Sequence, residues 1–192
     1  MTSRVRNAAA TRAAMLGSAR QRFLQESYEN VGLRDIASDA GVDVALVGRY
    51  FGSKEALFRE VLRGGKGDWL DPAVRADELP AFLAALATRE FGSEDREDID
   101  RLLIILRSSS SPKAASIVQD SFRENVLEPV ARVAAGEESE MRASLALSLL
   151  IGTTILRTVM EVDALTECKA ERLRIRLKTL FEGALSLSPH EP

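Results

Sequence analysis

Side chains able to do covalent or metal chemistry are scarce in this sequence. It has one histidine, His190, and one cysteine, Cys168. Nucleophilic catalysis therefore lacks a base, since His190 sits in a terminal tail, and no zinc-ligand spacing is present. The acidic run Glu94 to Asp100 reads as the solvated start of a helix, because adjacent acids point around a helix instead of converging on an ion. Gly64 to Gly67 lacks the Lys-Ser/Thr ending of a phosphate loop and reads as a break, hinge or flexible connection. Neither enzyme chemistry nor a cofactor or metal is expected. What remains is cationic. Residues 1–63 carry ten Lys/Arg against seven acids, +3, inside a chain whose net charge is −3. A basic N-terminal module on an acidic body suits nucleic-acid binding by the first part. Ser53-Lys54 opens a helix whose N-terminal amides favour an anion.

The stretch that must position these cations is Leu33 to Leu57, LRDIASDAGVDVALVGRYFGSKEAL. Leu33, Ile36, Ala37 and Ala40 fall on one helix face. Gly41 supplies a tight turn and Val42 plugs the angle behind it. Asp43 caps the next helix, whose buried side is Val47 and Phe51, and Ser53 caps a third. Helix, short glycine turn, helix is the layout whose second helix enters the DNA major groove. Upstream, Thr2 to Arg12 reads as a frayed arm carrying Arg4, Arg6 and Arg12. A helix with Met15, Leu16, Ala19, Phe23 and Leu24 along one stripe follows, then a connection from Ser27 to Gly32.

The apolar content is 45% with only 5% aromatic, and its Ala, Leu and Val bias favours helix, so the fold class is all-α. Leu145 to Leu156 is the most apolar stretch and is too short to span a membrane. The lone cysteine suits a reducing, cytoplasmic setting. The body begins at Trp69. Leu79-Pro80 starts a helix with Phe82, Leu83, Leu86 and Phe91. Ile99 to Ser108 is nearly all apolar and expected to be central in the body. Pro112 opens a helix that Pro129 should kink or end. Two long amphipathic helices, about Glu138 to Met160 and Thr166 to Ser186, finish the chain, with Gly152 marking a close approach of another helix.

Phe23, LRDIASDAGV (33–42) and RYFGSKEALF (49–58) resemble the DNA-binding domain of the TetR (tetracycline-repressor) family of bacterial transcriptional regulators. Ser111-Pro112 opening a long helix, with two helices to finish, is similar to actinobacterial-type members. The resemblance implies an N-terminal three-helix helix-turn-helix domain at 1–63 and a helical ligand-binding and dimerisation domain at 64–192. It implies that Arg34 reaches a guanine edge and that Tyr50 and Lys54 meet phosphates, beside Ser53. Arg49 is expected to join Arg34 on guanines, with Val44, Ala45 and Leu46 on thymine methyls. The chain departs from the family pattern at Ser27, where Gly is common, and at Gly32, where a Thr cap is usual. Gly48 stands in the recognition helix where Tyr is usual; it costs about 1 kcal/mol relative to Ala and lets the backbone approach DNA closely.

The two terminal helices need a surface to pack on, within the chain or on a partner; the resemblance implies a homodimer through a four-helix bundle, its interface drawn from Leu145, Leu149, Gly152 and Leu156 and from Leu173, Leu177, Leu180 and Phe181. A small-molecule effector would sit among Trp69, Phe82, Leu86, Leu103, Leu106, Phe122 and Val126, a set that a packed core would equally show, with Arg107 either a polar group of that cavity or a surface cation at its helix end. The expected function is a dimeric repressor on a palindromic double-stranded operator, released by a largely apolar small molecule, with no membrane partner. The alternative is a helical dimeric interaction protein whose specific DNA binding is degenerate or lost.

Overall fold

The computed structural model describes residues 2–64, 69–90, 96–109 and 111–186, and of residues 2–7 and 96 the backbone only. Gly65 and Gly67 of the expected hinge, Phe91, Glu94, Asp95 and His190 lie outside these residues. Every regular element among the described residues is helical. Two compact units form, one within residues 1–67 and 93–122, the other within 68–92 and 123–192.

The first unit begins with α1 (Thr2–Gln25), α2 (Leu33–Asp39), α3 (Val44–Phe51) and α4 (Lys54–Arg63). The backbone is already helical at Thr2, where a frayed arm was expected; the alanine-rich stretch Ala8 to Ala14 has little side-chain entropy to lose in a helix. Phe23, Tyr28 and Phe58 stack at the centre of the core, with ring centroids 4.7 to 5.9 Å apart. Between α5 (Leu79–Thr88) and the later body helices run α6 (Arg96–Ser108) and α7 (Pro112–Phe122), and both belong to this first unit. Ile104, Ala114, Ile117 and Val118 are buried in the same core as Met15, Phe23, Leu57 and Phe58. The unit boundary thus differs from the division expected at residue 63. Nor is α6 buried all round: Ile104 is fully buried, but Leu106 is 50% exposed.

The second unit holds α5, with Pro80 in its first turn as expected, then α8 (Glu128–Ala134), α9 (Ser139–Thr158), the short α10 (Asp163–Thr166) and α11 (Ala170–Leu185). α11 packs on α5 and α9. Leu79, Leu83, Ala84, Ala143, Leu147, Leu173, Leu177 and Phe181 are buried here. Pro129 does not itself end a helix, because α7 has already ended at Phe122. The chain passes from α7 into a π-helical turn, Arg123–Leu127, and α8 resumes with Pro129 in its first turn. Proline has no N–H to give the carbonyl four residues back, which is that of Asn125. The Trp69 indole N–H donates to that carbonyl instead, at 2.9 Å.

Arg142 is a buried charge that sequence reading passed over; it is 6% exposed. Its guanidinium donates to the carbonyls of Glu137 (3.1 Å), Leu185 (2.8 Å), Ala134 (3.4 Å) and Ala135. The Ala134, Ala135 and Leu185 carbonyls end α8 and α11, where helix dipoles are negative, and that of Glu137 lies in the turn before α9. The turn around it places Ala135, Gly136 and Glu138 at φ of 44°, 74° and 52°, a left-handed run that the arginine ties down.

Candidate nucleic-acid interface

The helix-turn-helix forms where the sequence placed it. Gly41 adopts φ +64°, and the Val42 N–H reaches the Ala37 carbonyl at 3.0 Å, closing the turn. Asp43 Oδ1 accepts from the Ala45 N–H at 2.7 Å and caps α3. Val47 and Phe51 are buried beneath it. Gly32 starts α2 in an extended conformation without a side-chain cap. Arg34 is exposed in the first turn of α2, and on α3 Val44, Ala45 and Arg49 are exposed while Gly48 is half-buried.

Two of the expected reading-surface residues are less open than their neighbours. Leu46 is half-buried, which leaves Val44 and Ala45 as the open apolar pair. Tyr50 is half-buried against the core, with its ring 6.4 Å from that of Phe51. A Cβ built on Gly48 meets nothing within 4 Å, so no neighbour in the fold demands glycine there.

Ser53 Oγ caps α4 by accepting from the Ala56 N–H at 3.1 Å. The Glu55 carboxylate accepts from its own backbone N–H and from Ser53, which holds its pKa below the usual value. The anion that this helix end favours is therefore supplied in part from within the chain. Lys54 does not project freely. Its Nζ lies 4.4 Å from the centroid of the Tyr28 ring and donates to the Glu29 carbonyl at 3.4 Å. Burial, before any charge effect, lowers its pKa. Tyr28 is itself buried, and that burial, followed by the nearby Glu55 carboxylate, pushes its pKa up to about 12.

The cations of this unit divide sharply. Arg12 pairs with Glu60 and lies over the Phe51 ring at 5.2 Å. Arg20 meets Glu97 at 2.5 Å, Arg22 grips Asp39 through two nitrogens at 2.5 and 2.9 Å, and Arg59 faces Asp120 at 3.6 Å. Arg34 and Arg49 make no ion pair among the described residues. Four of the described arginines of residues 1–63 thus fasten elements of the unit together, while Arg34 on α2 and Arg49 on α3 stay open, as does Arg63 at the far end of α4. Sequence spacing gave no sign of this division, because the partners lie far away along the chain. Tyr28 and Glu29 were missed for the same reason.

The expected effector residues fall into both units. Leu103, Leu106, Arg107 and Phe122 are in the first, where Arg107 is exposed and donates to the Gln25 carbonyl at 2.8 Å. That contact places it at the end of α1 rather than in a cavity. Trp69, Phe82, Leu86 and Val126 are in the second, all half-buried, with the Trp69 and Phe82 rings 6.4 Å apart. Among the described residues no group of three or more His, Cys, Asp or Glu could hold a metal, and no helix is long and apolar enough to cross a membrane.

The expected dimer residues also separate. Leu173, Leu177 and Phe181 are buried within their own unit and have no surface to offer. On α9, Leu145 and Leu156 are 51% and 44% exposed, and on α11 Leu180 is 53% exposed. Met141, Val159 and Met160 extend the α9 stripe, and Ile175 is open on α11. Leu149 and Gly152 are half-buried in that stripe, and no part of the described chain comes within 4 Å of a Cβ built on Gly152. The close approach expected there is absent inside the chain.

Residues 16–61 match the family model described as bacterial regulatory proteins, tetR family. Residues 81–185, more than half of the chain, match the tetracyclin repressor-like C-terminal domain. No curated protein is significantly similar in sequence. Among solved structures, NalD, the secondary repressor of the MexAB-OprM multidrug efflux pump in Pseudomonas aeruginosa, is 22% identical with a TM-score of 0.64, over 90% of this chain and 95% of that one. Salmonella enterica GusR is 18% identical with a TM-score of 0.59, over 91% and 95%. A TetR transcriptional regulator from Rhodococcus sp. RHA1 is 19% identical with a TM-score of 0.52, over 94% and 98%. At these identities the likeness is one of fold.

Proposed function

Because the chain belongs to the TetR family of DNA-binding transcriptional regulators, we propose that it acts as a cytoplasmic, dimeric repressor of a palindromic operator, released by a small, largely apolar effector. The observation that carries this reading is the charge division of the first unit: Arg34 and Arg49 stay open on α2 and α3 while Arg12, Arg20, Arg22 and Arg59 are spent on internal pairs. An exposed guanidinium beside an apolar patch of Val44 and Ala45 suits guanine edges next to thymine methyls. Residues 1–63 then carry the DNA contacts and residues 64–192 the effector and the partner copy. Two copies joined through the open stripe of α9 and through Leu180 would hold paired α3 helices about one DNA turn apart. The effector is assigned to the half-buried Trp69, Phe82, Leu86 and Val126. It acts to the extent that it binds the released state more tightly. The Ser111-Pro112 start of α7 supports placement among actinobacterial-type members.

Fluorescence anisotropy tests the reading, with labelled duplexes tiled across the DNA upstream of the protein's own gene and a scrambled duplex as control. A preferred duplex, bound with a steep salt dependence, is expected. Arg34→Ala and Arg49→Ala should each weaken the preferred duplex more than the scrambled one. Equal weakening of both would remove base reading from these residues. The second reading, a helical dimeric interaction protein without specific DNA binding, draws on Gly48 and on the Glu55 carboxylate at the α4 N-terminus, and it predicts no preference across the tiled region.

A further inference from the structure

The seat of Lys54 is tied to a distant part of the sequence. Its ammonium rests on the Tyr28 ring at 4.4 Å and on the Glu29 carbonyl at 3.4 Å. Glu29 belongs to the turn after α1, and its carboxylate accepts a hydrogen bond from the Ser111 hydroxyl. The Ser111 hydroxyl oxygen in turn accepts from the Ala114 N–H at 3.1 Å and so opens α7. Ser111 is buried, and Ala114 belongs to the same core as Tyr28. The two backbone bonds recorded in the turn, from Asn30 and Val31 to the Ser27 carbonyl at 3.0 and 3.3 Å, leave the Glu29 carbonyl to Lys54. A continuous line of contacts therefore runs from the first turn of α7 through Ser111 and Glu29 to the lysine at the start of α4.

We propose that Ser111 and Glu29 are positioning residues for Lys54, holding the seat on which its ammonium is preorganised to meet a DNA phosphate. This rests on the DNA-binding reading. A lysine has three donors and a flexible stem, and fixing that stem costs rotamer entropy on binding. The seat engages one donor and one face of the ammonium, leaves the remainder for a phosphate, and restricts the stem beforehand. Partial burial also strips some of its water in advance, with Glu29 and Glu55 favouring the charge and Lys113 opposing it. Loss of the Ser111 bond frees the Glu29 side chain, loosens the turn and returns the entropy cost to the binding step.

Ser111→Ala tests the idea without changing the net charge. It is compared with Lys54→Ala and with the double variant, on the duplex preferred by the wild type. Lys54→Ala should weaken binding roughly three- to tenfold and flatten the salt slope by about 0.9. Ser111→Ala should weaken it by no more than Lys54→Ala does, and in the double variant should add nothing. Ser111→Thr, which keeps the hydroxyl for both the Glu29 bond and the α7 cap, should restore binding, while the double variant separates a loss through the lysine from one through the weaker cap. A Ser111→Ala penalty that persists without Lys54, tighter binding by Ser111→Ala, or wild-type binding by Lys54→Ala each overturns the proposal while the DNA reading stands. A wild type with no preferred duplex overturns both. The seat is read without DNA by reductive ¹³C-methylation of the lysines. The Lys54 methyls, lying over a ring, should resonate upfield of the other four and rejoin them in Ser111→Ala; unmoved methyls overturn the link.

Discussion

Gly48→Ala isolates what the recognition helix loses by carrying glycine. Gly48 is the fifth of eight residues in α3, and its carbonyl accepts the Gly52 N–H at 2.8 Å, so the position is inside the hydrogen-bonded ladder. A Cβ there meets nothing within 4 Å, so the added methyl neither clashes nor fills a gap. The remaining effect is backbone entropy and helix propensity, worth about 0.8 to 1 kcal/mol in favour of alanine. For a chain of this size that corresponds to a rise in Tm of about 2 to 4 °C. Urea unfolding at 25 °C, followed by circular dichroism, should show a higher midpoint with an unchanged slope. The same protein titrated with the preferred duplex then reports the functional side. Since the methyl costs nothing in the free protein, any loss of affinity measures how closely DNA approaches the α3 backbone. A midpoint that falls, or fails to rise, would refute the view that only helix propensity is at stake at this site.

Other consequences are as direct. Arg142→Met leaves four carbonyls, three at the ends of α8 and α11 and one in the turn before α9, without their donor, and a stability loss of about 3 to 5 kcal/mol is expected in thermal melts. A loss under about 1 kcal/mol would mean that water replaces the guanidinium freely. In a Tyr50→Phe background, where Tyr28 is the remaining tyrosine, phenolate absorbance should appear near pH 12. Because the folded pKa lies above the unfolded value of about 10, the contribution of Tyr28 is complete below pH 10 and lost as pH climbs through 12. A phenolate forming at pH 10 with the fold intact would contradict its burial. Leu145→Glu with Leu156→Glu should give a folded monomer by light scattering, since both are about half exposed in the single chain. Leu177→Glu, in contrast, should unfold the second unit.

Local signals carried far in this sequence. The Gly41 turn, the Asp43 and Ser53 caps and the buried pair Val47 and Phe51 were all legible, because each depends on residues within a few positions of one another. The destination of α6 was not. Its run of Leu and Ile marks a helix with much to bury, but says nothing of which core receives Ile104, and the answer lies with Met15 and Phe58. Leu173, Leu177 and Phe181 failed as interface residues for a related reason: an amphipathic stripe shows that a face is covered, and α5 covers it from within the chain. Of the site, residue types predicted which side chains have suitable chemistry. Which arginines are free depended on acids dozens of positions away, Glu60, Glu97 and Asp120, and on Asp39 across the gap from α1.

The bond from Trp69 to the Asn125 carbonyl equips the molecule with its own optical gauge. Trp69 is the sole tryptophan, so all indole emission comes from one half-buried ring fastened to the π-helical turn before Pro129. Any event that opens that turn, whether heat, denaturant or a bound aromatic compound quenching the ring, registers as a change in wavelength or intensity from a single identified position. The carbonyl that Pro129 leaves without a backbone donor thus provides, through Trp69, a label-free window on the helical body.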